Sequence, residues 1–244
     1  MLGTLSLHDA LPIFGIDVSA QKARTVALLS GPTAGADLLA DPDADVRLFV
    51  QRARDFVPDA TFLTGKTAFG AKSIGNLSRP YFPDGEVARA NGPFSRPITL
   101  WSPLSTGLQS ALIINNLGAH LGFVTGATAT DTPSVCTNLP QVAPGQNRLQ
   151  NGLQIFSGAV TLYRGSTMVG AIGVSGDGID QDDMISFLGA NNGGLKTGGA
   201  IGNAPVAMRA DQLLVGPTNT RLRYVGCPFA PFLDNQDQNV CQGK

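Results

Sequence analysis

The chain has 244 residues, 43% of them hydrophobic and 14% charged, with a formal net charge of −1. No apolar run approaches the roughly 20 residues of a membrane span, and no basic cluster is dense enough to neutralise phosphates, so neither a transmembrane helix nor nucleic acid as a partner is expected. With Gly 30 and Pro 16 the chain should be rich in turns and long ordered loops, and its sparse charge leans towards an exported bacterial protein rather than a cytosolic enzyme.

The first segment to explain is TLSLHDALPI, Thr4 to Ile13. Residue for residue it matches the in-frame translation of a common short-read sequencing adapter, so residues 1–13 are read as an assembly scar on a metagenomic-type fragment and set aside like an expression tag. Two expectations follow. His8 drops out of any site argument, and the natural protein starts upstream of Phe14, with any export signal lying there.

From Phe14, FGIDVSAQKARTVALLS reads as a helix, capped by Asp17 or Ser19 and stopped by Gly31 and Pro32, with small alanines for close packing. DADVRLFVQRARDFV is a second, amphipathic helix with Val46, Phe49, Val50, Ala53 and Phe56 on its apolar face. Between Thr64 and Pro103 only Thr67–Leu77 suits a helix, and the prolines make the rest a loop. Trp101 and the Tyr81-Phe82 pair read as loop anchors. TGLQSALIINNLGAHLGFVTG reads as helix then strand, and Ala129–Gln150 as loop.

The strongest local signal is GAVTLYRGSTMVGAIGVSGDG, whose alternating apolar residues flank Arg164-Gly165-Ser166-Thr167 as a β-hairpin, with Gly170 and Gly173 marking close approach of another element. DQDDMISFLG follows as a helix, with Asp180 expected at its cap and Asp183 three residues on. NAPVAMRADQLL is expected to be a further helix and TRLRYVGC a last strand.

Gly173-Val174-Ser175-Gly176-Asp177 nearly spells a nucleophile elbow, but the fifth residue is Asp and no histidine follows, so hydrolase chemistry is rejected. Asp177, Asp180, Asp182 and Asp183 lack the alternating spacing of a calcium loop and suit a helix start better. No metal site and no catalytic residue is expected. Strand, glycine loop and helix N-terminus together would offer free backbone N–H groups to a ligand. His120 reads as a packed or capping residue rather than a ligand, so that His120→Ala should leave tetrapyrrole affinity within about 1 kcal/mol.

Cys136, Cys227 and Cys241 form no CxxC pair. In an oxidising compartment a Cys227–Cys241 disulfide would staple the weakly patterned tail, restricting the unfolded chain by about 3 kcal/mol; in a reducing one they would be two thiols. Cys136 is then free, or paired with a cysteine upstream.

IDVSAQKARTVAL together with GAVTLYRGSTMVGAIGVSGDGIDQDDMI resembles the GlcG/HbpS family of haem-binding proteins, a domain also found at the C-terminus of PduO-type corrinoid adenosyltransferases. IGNLSRPYFPDG and the tail resemble a longer, exported subgroup. The resemblance covers most of the chain after Ile13. It implies an α+β fold, an antiparallel sheet with packed helices, incomplete at the N-terminus because a first helix and two strands are lacking. Residues 14–244 would form a single domain, with a loop-rich insertion over about 58–150 and a C-terminal tail over about 226–244. It further implies non-catalytic binding of haem or a related tetrapyrrole by a periplasmic or secreted homo-oligomer. On this basis Asp17, Lys22, Ser175, Gly176, Asp177 and Gln181 are expected to wall the ligand pocket; the same glycines and aspartates would equally serve turn and cap. The alternatives are an accessory subunit or enzyme of small-hydroxyacid metabolism, and a purely structural oligomerisation module.

Overall fold

A computed structural model describes residues 7–103, 107–133, 135–176, 178–227 and 240–244, with the backbone alone for residues 7–14. Its helices are α1 (Leu7–Leu29), α2 (Ala34–Leu39), α3 (Ala44–Phe56), α4 (Ala71–Leu77), α5 (Gly107–Val124) and α6 (Ile179–Lys196). Helix α1 thus begins within the segment read as an adapter translation.

The strands are β1 (Gln141–Ala143), β2 (Gln146–Asn147), β3 (Ala159–Arg164), β4 (Thr167–Gly173), β5 (Gly202–Asn203), β6 (Leu214–Val215) and β7 (Thr220–Arg221). They form one antiparallel sheet of order β4-β3-β5 and two small antiparallel pairs, β1-β2 and β6-β7. This is an α+β architecture. The expected hairpin is present with its turn at Gly165-Ser166, and a bulge between Leu162 and Tyr163 shifts its register.

Strand β3 is central, and α1, α4 and α6 all pack against it. Ala159, Val160, Thr161 and Tyr163 are consequently buried, whereas the edge strand β4 keeps a half-exposed character. One apolar core runs from Val26 and Leu29 of α1 through Val46, Phe49 and Val50 of α3 to Phe187 of α6 and Tyr224. Helix α3 carries the anticipated apolar face, and Asp43 caps it by accepting the Asp45 N–H at 2.8 Å.

The segment between α4 and α5 is tied down rather than loose. The Phe94 N–H donates to the Leu77 carbonyl at 2.9 Å, Gly92 N–H to Arg79 at 2.8 Å, and the Trp101 indole to the Ser78 carbonyl at 2.9 Å. Trp101 and the buried Phe82 therefore serve as the anchors the sequence implied.

Several elements differ from expectation. The stretch 107–124 is one helix, α5, where a helix followed by a strand was expected. Helix α6 runs on through Gly193 and Gly194 to Lys196. Residues 203–214 are not helical: two short 3-10 turns, Val206–Met208 and Ala210–Gln212, follow an extended Pro205. Tertiary contacts override local preference there. Ala68 N–H donates to the Met208 carbonyl at 2.7 Å and Ala210 N–H to Ala68 at 2.9 Å, while the Arg209 guanidinium lies over the Phe187 and Tyr224 rings. The last expected strand shrinks to Thr220–Arg221, and the region taken as loop at 129–150 contains the β1-β2 pair.

The tail is closed by a Cys227–Cys241 disulfide, with Cα atoms 6.2 Å apart, and Cys136 is a free, exposed thiol. No helix among the described residues is long and apolar enough to cross a membrane.

Candidate functional site

Two places compete as a site. The first is the glycine corner where β4 runs into α6. Gly173 lets α1 lie directly on β4, since a Cβ there would collide with the Ser19 carbonyl oxygen. At the facing Gly158 a Cβ would meet Val174 O at 2.5 Å and Lys22 Nζ at 2.8 Å. By contrast nothing approaches Gly170, so only one of the two glycines expected to mark a contact does so.

The charges at this corner satisfy one another. Lys22, 1% exposed, donates to Asp182 Oδ2 and to the Val174 carbonyl, each at 2.9 Å. Asp183 is fully buried. Its two carboxylate oxygens accept the Gly158 and Gly226 N–H groups at 2.7 Å each. Burial pushes its carboxyl up to about 7, against the pull of those two donors and of Lys72. The residue at the cap of α6 is Gly178, not Asp180, and the anticipated capping box does not form, because Asp183 is turned inward to hold the starts of β3 and of the tail together. Gln181 is exposed and leans over Gly178, Gly176 is exposed, and Ser175 is half-buried. Asp177 lies outside the described residues.

The second place is a groove of about 690 Å³ between α1 and α5. Ile16, Asp17, Ala20 and Arg24 form one wall and Ile113, Asn116, Leu117 and His120 the other; Val135, Cys136 and Asn151 lie between them. Both walls follow helical geometry: 113, 116, 117 and 120 share one face of α5, and 17, 20 and 24 one face of α1. Polar clips fix the floor. Asn116 Nδ2 donates to the Val135 carbonyl at 2.8 Å, Asn151 Nδ2 to the Asp17 carbonyl at 3.1 Å, Arg24 Nη1 to Asn151 Oδ1 at 3.0 Å, and Gln21 Nε2 to the Asn151 carbonyl.

His120 is neither packed nor capping, contrary to the sequence reading. Its side chain is 51% exposed, and its Nδ1 pairs with Asp131 Oδ1 at 2.9 Å. That hydrogen bond, first among the causes, holds the Asp131 carboxyl below its ordinary range. With the proton on Nδ1, the imidazole keeps Nε2 as its lone-pair nitrogen, an orientation common to metal-ligating histidines. Asp131 was missed because no periodicity links position 131 to 120; it reaches back from the loop after α5.

Of the expected pocket residues the structure thus sets Asp17 on the groove and Lys22, Ser175, Gly176 and Gln181 at or near the glycine corner, where Lys22 is held by Asp182 and the Val174 carbonyl. No three His, Cys, Asp or Glu side chains gather among the described residues as a cage for a bare ion. An iron carried by a porphyrin asks the protein for only one or two donors. The groove, with one carboxylate-oriented imidazole at its edge and apolar walls, fits that requirement. Comparison with family models, with curated proteins and with solved structures finds no match.

Proposed function

We propose that the chain is a non-catalytic receptor for haem or a related tetrapyrrole, seated in the groove between α1 and α5. The observation that carries this reading is the pairing of an apolar groove of about 690 Å³ with His120 held by Asp131. Its size lies within the range of small-molecule sites, and such sites combine mostly apolar walls with a few fixed polar groups. His120 would hold the iron, Asp131 would orient the imidazole, and Ile16, Ala20, Ile113 and Leu117 would cover the ring. When bound, the haem iron supplies the redox and small-ligand chemistry, and the protein supplies only the seat. This matches the role that resemblance to the GlcG/HbpS family implies, moved from the glycine corner to the neighbouring groove.

The receptor works after export, in the periplasm or outside the cell, and as a homo-oligomer. The Cys227–Cys241 disulfide supports the first statement, since such bonds persist in oxidising compartments. The exposed apolar side chains Ile114, Leu121 and Val124 along α5 support the second.

Titration with ferric haem tests the reading. Wild type is expected to give a saturable Soret shift, and His120→Ala to bind at least tenfold more weakly, with Asp131→Asn in between. Metal-free porphyrin should bind both variants like wild type. Equal haem affinity in wild type and His120→Ala would remove His120 as the ligand.

A further inference from the structure

One cation of the groove, Arg24, has no ion-pair partner among the described residues. Arg24 is half-buried on α1, one turn beyond Ala20, and lines both the α1–α5 groove and a second cavity of about 660 Å³ beside β4 and the β1-β2 pair. Arg148, which also lines the second cavity, is matched by Asp37 at 2.6 Å. Arg24 makes no ion pair among the described residues, and its hydrogen bond there is to a neutral acceptor, Asn151 Oδ1 at 3.0 Å. A guanidinium has five N–H donors in a planar fork suited to a carboxylate. One is used there; Gln150 shares both cavities with Arg24, while Ala20 and Ile113 line one and Ala27 and Leu28 the other.

We infer that Arg24 is the anchor for a carboxylate of the ligand, so that the groove selects an acidic planar molecule over its neutral counterpart. This rests on the proposed ligand groove and adds what the ligand must carry. The other charged side chain lining the groove is Asp17, which would oppose an anion. It stands seven residues from Arg24, about 10 Å of helix rise. That is about one Debye length at physiological salt, so its repulsion at the Arg24 end is weak. The ring then lies against the apolar walls, and its acidic edge points to where the two cavities meet.

Protoporphyrin IX and its dimethyl ester, followed by porphyrin absorbance and fluorescence, separate the possibilities because neither needs an axial ligand. Wild type is expected to bind the diacid at least tenfold more tightly than the ester. Arg24→Gln should abolish that preference by weakening the diacid at least tenfold more than the ester. Asn151→Asp, which gives Arg24 an internal carboxylate, should abolish it with the arginine still in place; circular dichroism establishes that each variant is folded. If wild type binds both probes equally, or Arg24→Gln weakens both alike, the anchor is overturned and the groove reading stands. If folded wild type binds neither probe, the groove reading falls and the anchor with it.

Discussion

Asp183 ties three segments together through one carboxyl group: its own helix α6, the start of β3 at Gly158, and the tail at Gly226. The charges around it are Lys72 and Asp180, which face each other at 3.8 Å, and the neighbouring Lys22–Asp182 pair. Its carboxyl titrates at about 7 in the folded chain and near 3.8 when exposed. Between those values the folded state holds a proton that the unfolded state has released. Its contribution to stability is therefore complete below about pH 4 and is lost as pH rises through about 7. Thermal unfolding followed by circular dichroism between about pH 5 and about pH 8 should show the midpoint falling as pH rises. Asp183→Asn should be less stable by about 1–3 kcal/mol, since its amide nitrogen cannot accept one of the two N–H groups. Its midpoint should vary less over the same range, and an unchanged slope would mean that other groups set the pH dependence.

At the scale of elements, the seating of α1 on β4 decides where the groove lies, and Gly173 decides that seating. Gly173→Ala should cost about 1–3 kcal/mol by forcing the helix off the strand. Gly170→Ala, with open space at its Cβ, should stay within about 0.5 kcal/mol of wild type. Denaturant midpoints for the two variants check this, and equal effects would contradict the close helix–strand contact. The same pair of glycines marks the limit of what local sequence reveals. The hairpin and α3 were legible because alternation and amphipathic spacing each encode a single face. Residues 203–214 were not, because Ala68 and the Arg209 stack set their path from far along the chain. The α5 wall was half legible: Ile113, Asn116, Leu117 and His120 share a helical stripe in the sequence. What lies opposite them, and the reach of Asp131 back to His120, are matters of tertiary placement.

Taken whole, the chain has an antiparallel sheet gripped by α1 and α6, a long α4–α5 connection whose described residues are tied to the body, and a groove on the side where α1 faces α5. The corner that sequence pattern favoured as a pocket is occupied by the chain's own charges, and its buried pairing gives it a structural role. Leaving Lys22 or Asp182 alone there would strand a charge at a cost of about 3–5 kcal/mol. The open surface with an oriented imidazole lies on the other side of α1. Nuclear magnetic resonance of the isotopically labelled protein with one equivalent of ferric haem tests this most directly, because the paramagnetic iron broadens the signals nearest to it. Broadening is expected to centre on Ala20, Ile113, Leu117 and His120, with the amides of Gly176 and Gln181 much less affected. Broadening centred on Gly176 and Gln181, or none at all, would contradict it.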